Sequence, residues 1–378
     1  MLKKQTICKR CVMDTTIPEI IFDKNGECQF CKIHDELESE YPLNNGDALA
    51  KKVVKKIKEA RTGDYDCVVG VSGGRDSTWL LFTAVKLGLK PLAVHYDNGW
   101  NSDIASKNIH KMVTKLNIDL ETVVADWNEF KDLQMSFLKA SVPDVEVPTD
   151  LAIHSVLHHV AAKENIRYIL NGHSFRTEGV APKGWTYFDG RYINAIQKKF
   201  GVKKLTDFKN FGIFELFYYS FWKRIKVIPI LNYFPYNQKK IDKLIKNELE
   251  WVYSGGHHHE STYTKFIQSY LLPSKFGIDK RKTELSALIR SNQIERDAAL
   301  HITTNTKYEF DKTLIKFVRK KFDLSEDEWL NIYNLPVKSF LDYPSYYPLM
   351  KKLRFFIKLA TKMNLLPKLL YLKYLYEK

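Results

Sequence analysis

No stretch of this 378-residue chain stays apolar long enough to span a bilayer, which excludes a helical integral membrane protein. No secretion signal is expected either, because the N-terminus is polar and reaches Cys8 at once, so the cytoplasm is the expected location. Internal repeats and low-complexity linkers are absent. Acidic residues are in deficit: 44 Asp and Glu stand against 59 Lys and Arg, a formal charge of +15. That balance favours anionic partners such as nucleotides, nucleotide sugars, RNA, an acidic protein or an anionic membrane face. Much of the excess lies in the last third, so it need not concern an active site. The length is enough for a sizeable core and about two or three domains.

Cysteine is scarce, and four of the five residues fall in two pairs, Cys8-x2-Cys11 and Cys28-x2-Cys31, with sixteen residues between them. In a reducing compartment this spacing reads as a tetrahedral zinc site made from two knuckles, not as disulfides. Gly26 suits a tight knuckle turn. Four protein ligands leave no open position for water, so the site is structural. Cys67 lies in an apolar run and reads as a small core residue.

That run, Cys67-Val68-Val69-Gly70-Val71, leads into Ser72-Gly73-Gly74-Arg75-Asp76-Ser77-Thr78. A buried strand, a glycine turn and a helix opening on hydroxyl residues make an anion site. The glycines let the backbone approach phosphate oxygens, the first helical amides point at them, and Ser72, Ser77 and Thr78 add hydroxyl donors. The loop lacks the Gly-Lys-Ser/Thr ending of a Walker motif. Ser-Gly-Gly-x-Asp-Ser resembles the PP-loop of the ATP pyrophosphatases, which split ATP into AMP and pyrophosphate while activating an oxygen as its adenylate.

Around this loop the pattern alternates. Strands are expected near 66–71, 91–96, 120–125, 167–171 and 226–231, and helices near 77–88, 102–116, 127–140 and 150–165, after an amphipathic Lys-rich stretch at 47–61. The fold class is therefore α/β, a parallel sheet sandwiched by helices of the PP-loop, adenine-nucleotide-hydrolase-like kind. The expected organisation is a zinc-ribbon module at 1–45, a PP-loop domain at 46–235, a helical substrate- and pyrophosphate-binding region at 236–305 and a basic helical tail at 306–378. The dense Leu, Phe, Tyr and Lys content of 346–378 reads as a basic-faced helix packing on its own domain. The alternative is an amphipathic helix pair that docks on a partner or a membrane surface.

Ligands of such sheets lie beyond the carboxyl ends of the strands. Two more special loops converge there. Asp97, in His95-Tyr96-Asp97-Asn98-Gly99-Trp100, is placed to position a nucleotide or its metal. In the loop 171–179, Gly172 permits close backbone approach beside His173, Arg176 suits leaving phosphate charge, and Glu178 with Asp76 makes a carboxylate pair for Mg²⁺. Farther on, Gly255-Gly256-His257-His258-His259-Glu260 offers His258 and Glu260 as substrate-contacting or acid–base groups. Adjacent histidines point in different directions and make a poor metal site. Lys280 and Lys282, in a Pro- and Gly-punctuated basic loop, suit phosphate or pyrophosphate as well as they suit solvent. His154 and His158 read as satisfied histidines of a sheet-covering helix.

Taken together, Cys-x2-Cys-Val-Met-Asp-Thr at 8–15, the second Cys pair, Gly-Val-Ser-Gly-Gly-Arg-Asp-Ser, His-Tyr-Asp-Asn-Gly-Trp, Asn-Gly-His-Ser-Phe-Arg-Thr-Glu-Gly and the stretch from Trp251 to Ala299 resemble the N-acetyl sugar amidotransferases of surface-polysaccharide synthesis, including lipopolysaccharide. The resemblance covers about residues 5–300. It implies that ATP, with Mg²⁺, adenylates the carbonyl oxygen of a sugar N-acetyl group, that ammonia displaces AMP and that an acetamidino group remains. It assigns catalysis to Asp76, Glu178, His258 and Glu260. ATP and pyrophosphate binding falls to Ser72, Gly73, Gly74, Arg75, Ser77, Thr78, Asp97, Gly172, His173, Arg176, Lys280 and Lys282. Structural Zn²⁺ falls to Cys8, Cys11, Cys28 and Cys31. The chain has no Gly-x-Cys-x-Gly nucleophile elbow and no N-terminal Cys, so the ammonia is expected from a separate glutaminase. The family's usual one resembles the glutaminase of imidazole-glycerol-phosphate synthase, often with its cyclase-like barrel companion. No nucleic-acid partner is expected. The rivals are a tRNA sulfurtransferase of the same superfamily and a non-catalytic assembly protein that docks partners through its ribbon and tail.

Overall fold

A computed structural model describes residues 6–376 apart from 257, 307, 309, 310, 364 and 367; the His257 position of the histidine run therefore lies outside the described residues. Five short strands carry the centre: β1 (Cys67–Gly70), β2 (Pro91–Asp97), β3 (Leu120–Val124), β4 (Tyr168–Leu170) and β5 (Lys226–Ile228). They form one sheet in the order β3-β2-β1-β4-β5, parallel throughout. Val69 of β1 is in register with Ala93 on one side and Leu170 on the other. The chain runs outward from β1 through β2 to β3, then returns to β4. The gap between β1 and β4 is thus the switch point where such sheets receive ligands.

Helices that precede or cover these strands include α1 (Gln29–Glu40), α2 (Gly46–Glu59), α3 (Arg75–Lys86), α4 (Asp103–Leu116), α5 (Trp127–Ala140), α6 (Val147–Lys163) and α7 (Gly190–Phe200). The two-residue period of β1 assigns its faces. Cys67, Val69 and Val71 pack with Leu80, Leu81, Ala84, Ile109 and Met112 of α3 and α4. Val68 packs with Val156 and Val160 of α6. Both faces are covered, which is why β1 and the first five residues of β2 read as buried runs.

Beyond β5 the chain is helical. One large core cluster joins Met13 of the cysteine module, Phe137 of α5, Tyr187, Phe266 and, near the C-terminus, Tyr374. The last stretch forms three short helices, Tyr347–Lys352, Arg354–Lys362 and Lys368–Tyr374, in place of the single basic-faced helix expected there or its alternative, a helix pair. It packs on the chain's own core through Tyr347, Tyr371, Leu372 and Tyr374, while Phe355 and Phe356 stay exposed. Among the described residues no helix is long and apolar enough to cross a membrane.

Candidate active site

The loop after β1 is shaped from behind. Gly73 sits at φ +78°, a backbone conformation that favours glycine. Its carbonyl accepts two hydrogen bonds, from Trp251 Nε1 (3.0 Å) and Asn108 Nδ2 (3.0 Å). The Gly74 carbonyl accepts from the Thr78 amide and hydroxyl (3.1 and 2.7 Å) and from Ser77 Oγ (3.2 Å). With both carbonyls bound to the protein, the open side of the turn belongs to the start of α3, whose first amides have no acceptor within the helix. Asp76 sits in that first turn, and its Oδ1 accepts from the Tyr236 hydroxyl at 2.6 Å. A Cβ added at Gly172 would stand 3.3 Å from the Asp76 carbonyl oxygen, so the loop after β4 lies against the start of α3.

The histidine–glutamate segment reaches this edge by pairing with the loop after β2. Asn101 and Ser261 form an antiparallel bridge, flanked by Ser102 N to Glu260 O (2.9 Å) and Thr262 N to Trp100 O (2.8 Å). The pairing delivers the Glu260 carboxylate to the glycine turn, where Ser72 Oγ donates to it at 3.1 Å. A line of groups then runs away from the loop. His258 Nδ1 stands 3.8 Å from Glu260, its Nε2 is 3.5 Å from Glu178, and His173 Nε2 is 3.9 Å from the same Glu178 oxygen. His258 adopts φ +61°, which costs an L-residue about 1–2 kcal/mol and aims the ring between the two carboxylates. Burial opposes a charge on His258, but Glu178 and Glu260 flank it and hold its pKa well above the ordinary histidine value. Burial raises Glu260, yet His258 and the Ser72 hydroxyl outweigh it and keep the carboxylate below its usual range.

A second charged group adjoins the first. Burial, then Glu146, pushes Asp150 at the start of α6 up to about 7, against the pull of Lys280, His258 and Lys373 within electrostatic reach. Lys373 comes from the last helix of the tail, and burial lowers it to about 8. Its ammonium lies 5.0 Å over the Phe188 ring. This group puts Lys280 on the same side of the molecule as His258.

The other residues expected at the site lie as follows. Asp97 ends β2 and accepts from the Gly99 amide (2.8 Å) and Asn101 Nδ2 (3.2 Å), which fixes the turn that carries the Asn101–Ser261 bridge. Arg75 turns from the loop to Asp242 in a two-point ion pair and lies over Trp251 and Tyr253. Arg176 is buried and ties two distant segments to its own loop: it donates to the Asn232 and Tyr41 carbonyls (2.6 Å each) and pairs with Glu38 at 2.7 Å. Lys282 pairs with buried Asp14 at 2.5 Å and with Thr16, and so fastens its helix to the cysteine module. The structure therefore brings together Ser72, Gly73, Gly74, Asp76, Ser77, Thr78, Gly172, His173, Glu178, His258 and Glu260. It gives Arg75, Arg176 and Lys282 protein partners instead. Sequence reasoning passed over Tyr236, Asn108, Asp150 and Lys373; of these only Asn108, a polar residue on the apolar face of α4, carries a local signal.

Cys8, Cys11, Cys28 and Cys31 are fully buried, and their sulfurs lie within 4.8 Å of one another. The closest pairs are 3.7–3.8 Å apart. A tetrahedron of sulfurs about 2.3 Å from one ion has edges of about 3.8 Å, so the four thiols fit a single tetrahedral metal ion. Arg290 donates to Cys11 Sγ at 3.6 Å, and Arg296 donates to the Cys8 and Cys11 carbonyls. These cations suit the negative charge that four thiolates and a divalent ion carry.

Residues 260–354 match the family model for the C-terminal domain of WbpG-like lipopolysaccharide biosynthesis proteins. The uncharacterized protein MJ1016 of Methanocaldococcus jannaschii is 32% identical over 77 residues, 20% of this chain and 26% of that protein, so the match spans about a quarter of that relative's length. Among solved structures, NMN synthetase from Francisella tularensis overlays at a TM-score of 0.30 with 12% identity, over 78% of this chain and 98% of that one. The U34-tRNA thiolase NcsA from Methanococcus maripaludis with its [4Fe-4S] cluster gives 0.33 and 14%, over 85% and 99%. A predicted subunit of tRNA methyltransferase from Methanocaldococcus jannaschii gives 0.29 and 16%, over 48% and 76%.

Proposed function

We propose that this chain, whose residues 260–354 match a WbpG-like lipopolysaccharide-biosynthesis domain, is an ATP-dependent carbon–nitrogen ligase that converts the N-acetyl group of a sugar to an acetamidino group. The observation that carries this reading is the contact of Ser72 with Glu260. It joins the glycine turn at the sheet's switch point to the line of carboxylates and histidines, which supports a phosphate site beside acid–base groups.

In the proposed reaction the amide carbonyl oxygen attacks the α-phosphorus of ATP, and the bond to the pyrophosphate bridging oxygen breaks. The amide proton leaves, which gives an O-adenylyl imidate. Ammonia adds to the imidate carbon, AMP departs with the C–O bonding electrons, and the surplus proton passes to a base. The turn at Ser72–Gly74 and the hydroxyls of Ser77 and Thr78 hold pyrophosphate. Glu260, held as a carboxylate, takes up a proton, and His258, held protonated between Glu178 and Glu260, is the acid that can donate to the departing AMP oxygen. Asp76 and Glu178 offer the hard oxygen donors that Mg²⁺ requires, and that ion would neutralise phosphate charge when bound. Zn²⁺ is the ion proposed for the four thiols, with a structural part. Ammonia comes from a separate glutaminase, because four cysteines are gathered at the ion site and Cys67 is buried in β1. Burial raises the pKa of Cys67 and keeps its thiol protonated, which also argues against a sulfur-transferring reading.

The test is incubation of N-acetylated nucleotide sugars with the full chain, ATP, Mg²⁺ and ammonium salt, followed by mass spectrometry. The expected product is lighter by the difference between O and NH and appears with AMP and pyrophosphate. Release of ADP, or no such product from any N-acetyl sugar, overturns the proposal.

A further inference from the structure

The helical segment 213–222, Ile213–Phe217 continued by Tyr218–Trp222, is amphipathic the wrong way round for a soluble protein. Its inward positions are Leu216, Tyr219 and Ser220, while Ile213, Phe214, Phe217, Tyr218, Phe221 and Trp222 face solvent. Phe214 is 82% exposed, Trp222 80% and Phe217 63%. An apolar stripe of this kind normally marks a docking surface.

The segment is held firmly in this orientation. Glu129 of α5 accepts hydrogen bonds from the amides of Thr206, Asp207 and Phe208 in the preceding loop. Asp132 accepts from those of Val202 and Lys203. On the inner side Tyr219 stacks on Phe211 at 5.9 Å and packs against His158 of α6 at 5.5 Å. The aromatic face therefore stays turned outward.

Its flanks are basic. Lys198, Lys199, Lys203, Lys204 and Lys209 precede it and Lys223, Arg224 and Lys226 follow, with Asp207 and Glu215 the acidic residues between 198 and 226. Trp, Tyr and Phe beside Lys and Arg is the chemistry of a bilayer interface: the rings enter the headgroup layer and the cations meet lipid phosphate. The tail helix Arg354–Lys362 repeats it, with Phe355 72% exposed, Phe356 exposed, and Arg354, Lys358 and Lys362 as its cations.

We infer that the face carrying residues 213–222 is a peripheral membrane-docking surface that seats the protein on an anionic lipid bilayer. A protein partner would need acidic residues against eight cations and a pocket for each exposed ring. A bilayer supplies both without further design.

Co-sedimentation of the full chain with vesicles tests this, using phosphatidylcholine alone and phosphatidylcholine with about a third phosphatidylglycerol. Binding to the anionic vesicles, weakened by salt, is expected. Phe214→Ser with Trp222→Ser should lower the partition coefficient by roughly tenfold or more. The melting temperature should hold, because both side chains are already in water. Lys51→Glu with Lys55→Glu, on the basic non-aromatic surface of α2, should keep most of the binding. A loss in the α2 variant as large as in the aromatic one would mean that binding is not local to this face and would overturn the inference. So would unchanged vesicle binding in the aromatic variant, or a change in its oligomeric mass by light scattering, which would make the face a protein interface.

Discussion

Gly73→Ala separates two costs that are usually confounded. At φ +78° an alanine carries about 1–2 kcal/mol of left-handed strain. Its Cβ would also stand 2.9 Å from the Cα and carbonyl carbon of Ala105, and closer still to the carbonyl oxygen. That obstacle is helical backbone of α4, which cannot swing aside as a side-chain tip can, and overpacking of this kind costs a further 1–3 kcal/mol or so. The sum is about 3 kcal/mol, after a few tenths for the stiffer unfolded chain. Gly277→Ala is the matched control: φ is +64°, with nothing within 4 Å of the added carbon, so strain alone applies, at about 1 kcal/mol. For 378 residues the unfolding entropy is about 0.8 kcal/mol/K. Calorimetry should then show the Gly73 variant melting about 4 °C below the parent and the Gly277 variant about 1 °C below. ATP–pyrophosphate exchange should fall by roughly a hundredfold in the first and hold in the second. If the two variants melt together, the close packing of the loop on α4 is not what shapes the glycine turn.

Other outcomes follow from the same geometry. Asp76→Asn should reduce ATP–pyrophosphate exchange by at least about a hundredfold, and Tyr236→Phe, which removes one hydrogen bond to that carboxylate, by about tenfold; similar losses in both would point to folding instead. The His258 pKa is raised in the folded chain, so its ion pairs with Glu178 and Glu260 stabilise fully below the unfolded histidine pKa and are lost as the pH rises through the folded one. Glu178→Gln should move the imidazole titration, followed by NMR, toward the ordinary value, and an unmoved midpoint would rule out that pairing. Cys31→Ser should remove one equivalent of bound zinc in elemental analysis and, in the cobalt-substituted parent, the absorption bands of a tetrahedral thiolate site; acid-labile sulfide would instead indicate a cluster.

The five strands were legible because short apolar runs between turn residues leave little choice, and all five lie within or one residue beyond the stretches expected for them. α5 matches its expected limits, 127–140, and α3 begins at Arg75 instead of 77 because the helix starts directly at the glycine turn. α7 and the 213–222 segment escaped notice. The latter carries its apolar stripe outward, so periodicity did not mark a packing face. At the site, the glycine turn before α3 is a local arrangement and could be read locally. Arg176 and Lys282 could not: their carboxylate partners Glu38 and Asp14 lie 138 and 268 residues away in sequence, and a basic residue in a polar loop reads alike whether it meets a ligand or a distant acid. Lys373 was hidden for the same reason, since its surroundings are made by α6 and the 188 region.

The antiparallel bridge between Asn101 and Ser261 is a seam, with the loop after β2 on one side and the segment matching the WbpG-like domain on the other. The glycine turn is built by the sheet, whereas Glu260 enters with the segment shared with the WbpG-like domain. A lineage can therefore exchange that segment and keep the sheet edge, provided the backbone pairing across the seam is preserved. Grafting residues 263–354 from a relative that carries the same domain is the laboratory form of that exchange, and the residues to leave untouched are those on the seam, Asn101, Ser102, Glu260, Ser261 and Thr262.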